Sequence, residues 1–340
     1  MTHGKNKLRR GGVARIGLGL AALGATVGIA ACGGSASAAG SIDLVAYSTP
    51  QQVYEQSLEP AFKDTPEGKD VDFSNSFGAS GDQSRAVESG QPADVVEFSL
   101  EPDMQRLVDA DIVGSDWNQN QYKGIVTDSV VTLMVRPGNP KQITSFDDLA
   151  RDDVDVIDPN PATSGGARWN IMAIYGSQIA EGKSEAQAQD FVKQVLGNTS
   201  VQDDSARDSL NTFSSGKGDV LVGYENDAIQ AKEDGIELEY VTPDSTILIE
   251  NPIAVAKDAS PEAQKFVDFL YTDQGQQDFA DAGYRPVVKS VAERNAGKFP
   301  TPPGLFTIDE FGGWSKVADP FFGDSGWVIQ AEKDLGNPTS

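Results

Sequence analysis

From Ile42 onward, short apolar runs alternate with amphipathic stretches, and this alternation restricts the fold of the chain more than any other feature. Ile42 to Tyr47 reads as a buried strand, and Pro50 to Phe62 as the helix after it. Val71 to Phe77 then predicts a strand, Asp82 to Ser89 a helix and Ala93 to Phe98 a strand. Later strands are predicted at Val130 to Val135, Val154 to Ile157, Val220 to Tyr224 and Ile253 to Ala256, with helices near 167–180, 184–196, 206–215 and 261–282. Strands separated by helical patterns predict α/β units with parallel sheets. Ligands of such sheets gather where strands end and helices begin.

One of these junctions is chemically distinctive. Between Pro159 and Asn170 two prolines forbid helix up to Pro161, and Thr163 and Ser164 are both good caps. Gly165 and Gly166 then open a helix with bare backbone, which small and apolar residues continue to Ile179. Such a start exposes unpaired N–H groups and the positive end of the helix dipole, an anion site that needs no lysine or arginine. Three other junctions carry related residues: Tyr47-Ser48-Thr49-Pro50, Ser76 to Gln83 with Ser80 and Gly81, and Asp204-Ser205-Ala206-Arg207. Two readings stay open on spacing alone. The four are independent caps, or they meet on one small anion.

The start of the chain reads as a targeting segment. Lys5, Lys7, Arg9, Arg10 and Arg15 form a basic region, Ile16 to Ala31 an apolar one, and Ile29-Ala30-Ala31-Cys32 closes it. This resembles a bacterial lipobox, which predicts a signal peptide over 1–31, lipidation at Cys32 and a flexible tether over 32–41. The alternative is an ordinary secretory signal with a chance cysteine. Several acyl chains hold a protein firmly at a membrane where one does not. No other stretch approaches the ~20 apolar residues of a spanning helix.

Charge and absences narrow the function. The whole chain carries a formal charge of −24, and removing 1–31 takes away five basic residues and the only histidine, His3. So acidic a surface argues against nucleic acid as a partner. Any anion must be held by local dipoles. Without histidine or a second cysteine, Ser-His-Asp and Cys-His catalysis and zinc sites built on His or Cys are excluded, and no cofactor or metal is expected. Roughly 300 residues without disulfides suggest two lobes with adequate cores.

Several longer strings resemble the sulfate- and thiosulfate-binding proteins of bacterial ABC importers. They include Ala93-Asp94-Val95-Val96, Val135 to Lys141, Pro159-Asn160-Pro161, Ser164 to Asn170, Asn211-Thr212-Phe213, Gly218 to Leu221 with Glu225-Asn226, Tyr284-Arg285-Pro286, and Leu305 to Trp314. The resemblance spans about Leu44 to Ile329. It implies an α/β fold of the two-lobed periplasmic-binding-protein type (type II) with two hinge crossings, lobe 1 being 42–129 plus 254–340 and lobe 2 being 130–253. It further implies no enzymatic activity, an ABC permease as partner, a monomer, and a place on the outer face of the cytoplasmic membrane. Carried over, Ser80 and Gly81 are implied as sulfate donors from one lobe, and Ser164, Gly165, Gly166 and the Ala206 N–H from the other. Two positions depart from the pattern: Ser48 stands where the family commonly has Asp, and Tyr224 where it has Trp. Both can still donate, Ser48 from its backbone and Tyr224 from its hydroxyl.

Sulfate is fully ionised at neutral pH and needs only donors, so a pocket of N–H and hydroxyl groups without carboxylates favours it over phosphate, which carries a proton. Molybdate or another tetrahedral oxyanion is the alternative ligand, and an extracellular ester hydrolase the more distant alternative function. Arg168, Arg207 and Arg285 could contact the anion directly or fix loops by pairing with carboxylates. Trp169, Trp314 and Trp327 read as packing residues, and Asp94, Asp219 and Glu225 as solvated or structural acids.

Overall fold

The computed structural model describes residues 40–339, which form a mixed α/β body. The predicted signal peptide, Cys32 and most of the predicted tether lie outside the described residues. The strands are β1 (Ser41–Tyr47), β2 (Asp72–Gly78), β3 (Val95–Glu97), β4 (Ile125–Val135), β5 (Val156–Ile157) and β6 (Thr199–Val201). They continue with β7 (Val220–Tyr224), β8 (Glu239–Val241), β9 (Ser245–Val255), β10 (Arg285–Pro286) and β11 (Gly304–Phe306). Their order is β2-β1-β3-β9-β4-β7-β5-β6, with β8 and β10 added to β4 and β11 to β9.

Each half of this sheet is parallel as the alternation predicted: β1 with β2 and β3, β5 with β6 and β7. The centre is not. β4 runs antiparallel to β9 and β7, and β9 antiparallel to β3, because the chain leaves the first half along β4 and returns along β9. Both strands are 11 residues long, and only their most apolar ends were legible. Thr127, Ser129 and Asn251 interrupt the apolar pattern yet are fully buried. Their polar groups are satisfied inside: Ser129 Oγ donates to Asn226 Oδ1 at 2.6 Å, and Asn251 Nδ2 to the Ser99 carbonyl at 3.2 Å. The single helix expected over 261–282 is two, Pro261–Leu270 and Asp273–Asp281. Thr272 starts the second by accepting the Gly275 N–H on its hydroxyl.

The halves have separate cores. Leu44, Phe62, Phe266 and Phe279 pack together in the first. Trp169, Met172, Val192 and Val222 pack in the second. Phe306, Trp314, Phe322 and Val328 join this second core, with Trp314 edge-on to Trp169 at 4.7 Å between ring centroids. The segment from β11 onward thus packs on the second core. The chain crosses once more, entering the second half at β11 alongside β9, and its aromatic residues bury apolar area there.

Candidate functional site

Six chain segments from both halves meet around a small chamber. Tyr47, Ser48 and Thr49 follow β1, and Ala79 and Ser80 stand at the start of the helix Ser80–Glu88 after β2. Ser99 follows β3, Ser164 and Gly166 lie at the start of the helix Gly165–Ala180, Ala206 opens the helix Ala206–Ser214, and Tyr224 ends β7. The space open to a water-sized sphere is ≈ 10 Å³, about one such sphere. None of the residues lining it is charged.

Donors dominate its walls. Among the described residues no protein acceptor is found for the N–H groups of Ser80, Gly165, Gly166 and Ala206. The Ser164 hydroxyl accepts the Ala167 N–H at 3.3 Å and keeps its proton to give. Ser99 Oγ and the Tyr224 hydroxyl lie 2.5 Å apart across the chamber, so the pair has one proton left to offer. Burial pushes the Tyr47 and Tyr224 phenols far above their ordinary range, which keeps both protonated. Tyr47 Oη is buried with no partner. Ser80 Oγ behaves differently. It donates to Asp103 Oδ2 at 2.6 Å and accepts the Ser99 N–H at 3.0 Å, so its hydroxyl proton is already used.

Six of the predicted residues line the chamber: Ser48, Ser80, Ser164, Gly166, Ala206 and Tyr224. Gly81 and Gly165 sit in its wall. The Gly81 N–H donates to the Thr163 carbonyl at 3.0 Å, joining the helix start after β2 to the loop before the glycine pair. A Cβ on Gly165 would stand 2.7 Å from Leu100 Cδ2 and 2.8 Å from Ser99 Cβ, so only glycine allows this approach. Tyr47, Thr49, Ala79 and Ser99 were not singled out as site residues. For Ser99 a signal existed: it lies at another junction, between β3 and the helix Glu101–Asp109. Trp169 Nε1 fixes it by donating to its carbonyl at 2.7 Å.

None of the three candidate arginines lines the chamber. Arg285 pairs with Glu225, Arg207 donates to the Thr49 carbonyl at 3.1 Å, and Arg168 donates to the Pro161 carbonyl at 2.9 Å and lies over the Phe322 ring. Asp94 and Asp219 are structural acceptors, taking the backbone N–H groups of Asp43 and Ser260, and of Asp155. Beyond the Gly81–Thr163 contact lies a second, far larger cavity of ≈ 990 Å³, which Arg85, Arg106 and Arg168 line together with Asp82, Glu88 and Trp314. Among the described residues no cluster of three or more His, Cys, Asp or Glu could hold a metal ion, and no helix is long and apolar enough to cross a membrane.

Residues 42–285 match the family model for bacterial extracellular solute-binding proteins. The chain is 38% identical to a sulfate-binding protein of Synechococcus elongatus, over 90% of this chain and 92% of the relative. It is 32% identical to a thiosulfate-binding protein of Pseudomonas aeruginosa, over 87% and 93% respectively. Among solved structures it resembles the sulfate-binding protein SubI of Mycobacterium tuberculosis, with a TM-score of 0.80 and 43% identity, covering 83% of this chain and 98% of that one. The architecture is that of the periplasmic binding proteins.

Proposed function

The chain belongs to the bacterial extracellular solute-binding proteins, and from that premise we propose that it captures sulfate between two lobes and delivers it to an ABC permease. The observation that carries this reading is the chamber itself, an uncharged space where unpaired helix-start N–H groups and hydroxyls from both halves meet. Ser48, Ser80, Gly81, Ser164, Gly165, Gly166, Ala206 and Tyr224 are assigned to the ligand or to the wall that holds it. Taking a dianion out of water is costly, and aimed donors in a small chamber offset that cost. The names of the Synechococcus and Mycobacterium relatives favour sulfate, and that of the Pseudomonas relative keeps thiosulfate as the second ligand.

Closure is a shift in population toward the state in which both halves touch the ligand. Lobe 1 is then 42–129 with 254–303, and lobe 2 is 130–253 with the packed segment from β11 onward. β4, β9 and the passage into β11 form the hinge. Cys32 carries the lipid anchor, which holds an exported monomer at the outer face of the membrane. No catalytic turnover is assigned to it.

Calorimetric titration of the purified protein with sulfate, thiosulfate, molybdate and phosphate tests the reading. Sulfate or thiosulfate is expected to bind with a micromolar or tighter constant, about −8 kcal/mol or better, and phosphate at least a hundredfold more weakly. Tight molybdate binding with none for sulfate, or hydrolysis of a chromogenic sulfate ester, overturns it.

A further inference from the structure

The crossing strand β4 carries two partners end to end on one edge. β9 takes the opposite edge from Ile125 to Val130. On the free edge, Arg285 of β10 pairs with Asp128, and Tyr224 of β7 pairs with Val131. These registers are three positions apart along β4, about 10 Å at the rise of a strand. An ion pair bridges the gap. Arg285 Nε donates to Glu225 Oε2 at 2.7 Å and Nη2 to Oε1 at 3.1 Å, with the two side chains 11% and 3% exposed. Arg285 is itself tied to the first half, since Nη2 also donates to the Pro300 carbonyl at 2.9 Å and the guanidinium lies over Phe299. Glu225 directly follows Tyr224, whose hydroxyl meets Ser99 from the first half across the chamber.

We propose that Arg285 is a positioning residue for the bound anion: through Glu225 it fixes the junction at which β7 ends, and so holds the Tyr224 hydroxyl at its place beside Ser99. The proposal rests on the sulfate reading for its ligand, but its mechanism is visible without one. A bidentate pair this deeply buried is strong in geometry and costly to half-remove. It therefore ties β10 to the end of β7 beside their common partner β4.

The test uses Arg285→Met and the neutral pair Arg285→Met with Glu225→Gln, each alone and combined with Tyr224→Phe. In wild-type background, either Arg285 variant is expected to weaken sulfate at least tenfold and to raise its dissociation rate. With Phe at 224 the same change is expected to cost less than threefold. Arg285→Lys is expected to recover part of the loss. The neutral pair avoids an unpaired buried carboxylate should Arg285→Met fail to fold. Hydrogen exchange of the ligand-free protein supplies an independent readout, with faster exchange expected at residues 222–228 in both Arg285 variants. An affinity loss of the same size with or without the Tyr224 hydroxyl overturns the proposal, as does unchanged exchange at 222–228. Failure of the wild-type protein to bind sulfate overturns the functional reading, and the exchange result still decides the role of Arg285.

Discussion

The two cavities on either side of the Gly81–Thr163 contact differ in every property that a search for an anion site would weigh. The groove is large and holds three arginines. The chamber is small and uncharged. In the groove, however, Arg85 and Arg106 are matched by Asp82 and Glu88, so their charge is spent on the protein's own carboxylates. In the chamber, N–H groups and hydroxyls stand without partners, and an unpaired donor in a closed space has more to gain from an oxyanion than a paired guanidinium in a wet one. On the proposed reading, a dehydrated anion is selected by unmet hydrogen bonding, not by net charge.

Three variants sharpen or break this contrast. Gly165→Leu is expected to abolish sulfate binding, a loss of more than about a thousandfold, while circular dichroism and cooperative unfolding persist. Its Cβ would meet Ser99 and Leu100, which stops the chamber from closing. Retained affinity would remove the glycine pair from the site. Ser164→Ala deletes both the cap on the Ala167 N–H and a free hydroxyl proton. A hydrogen bond to a charged ligand contributes about 1.5–3 kcal/mol, so calorimetry is expected to show a loss of roughly 10- to 100-fold. The smallest effect belongs to the groove. Replacing Arg85 and Arg106 together by Gln is expected to change affinity less than about threefold at physiological salt, because exposed, paired charges are weak and screened. A loss there exceeding that of Ser164→Ala would invert the comparison and make the groove the site.

Much of the chamber was legible because its chemistry is local. A cap, a glycine pair and a small residue at a helix start are each fixed by a few neighbouring residues, so Ser164, Gly166 and Ala206 stood out as helix starts, and the resemblance to the sulfate- and thiosulfate-binding proteins implied their role. Ser99 was harder. Its importance comes from Trp169 and Asn251, which hold its carbonyl from distant parts of the chain. The long strands were half legible for a similar reason. Buried Thr127, Ser129 and Asn251 look like surface residues until their partners are known. The core on which the C-terminal segment packs was not legible, because aromatic residues announce burial without saying against which core.

The sequence by itself determined the alternation of strand and helix and the capping chemistry of the junctions, since each depends on residue identity or on contacts a few positions apart. Only the tertiary structure decided which junctions share one chamber, that the Gly81 amide and the Ser80 hydroxyl are engaged by protein groups, and that Arg285 serves Glu225 rather than facing the anion. Those outcomes turn on hydrogen bonds between residues far apart in the chain, and a donor's partner is set by where the fold brings an acceptor.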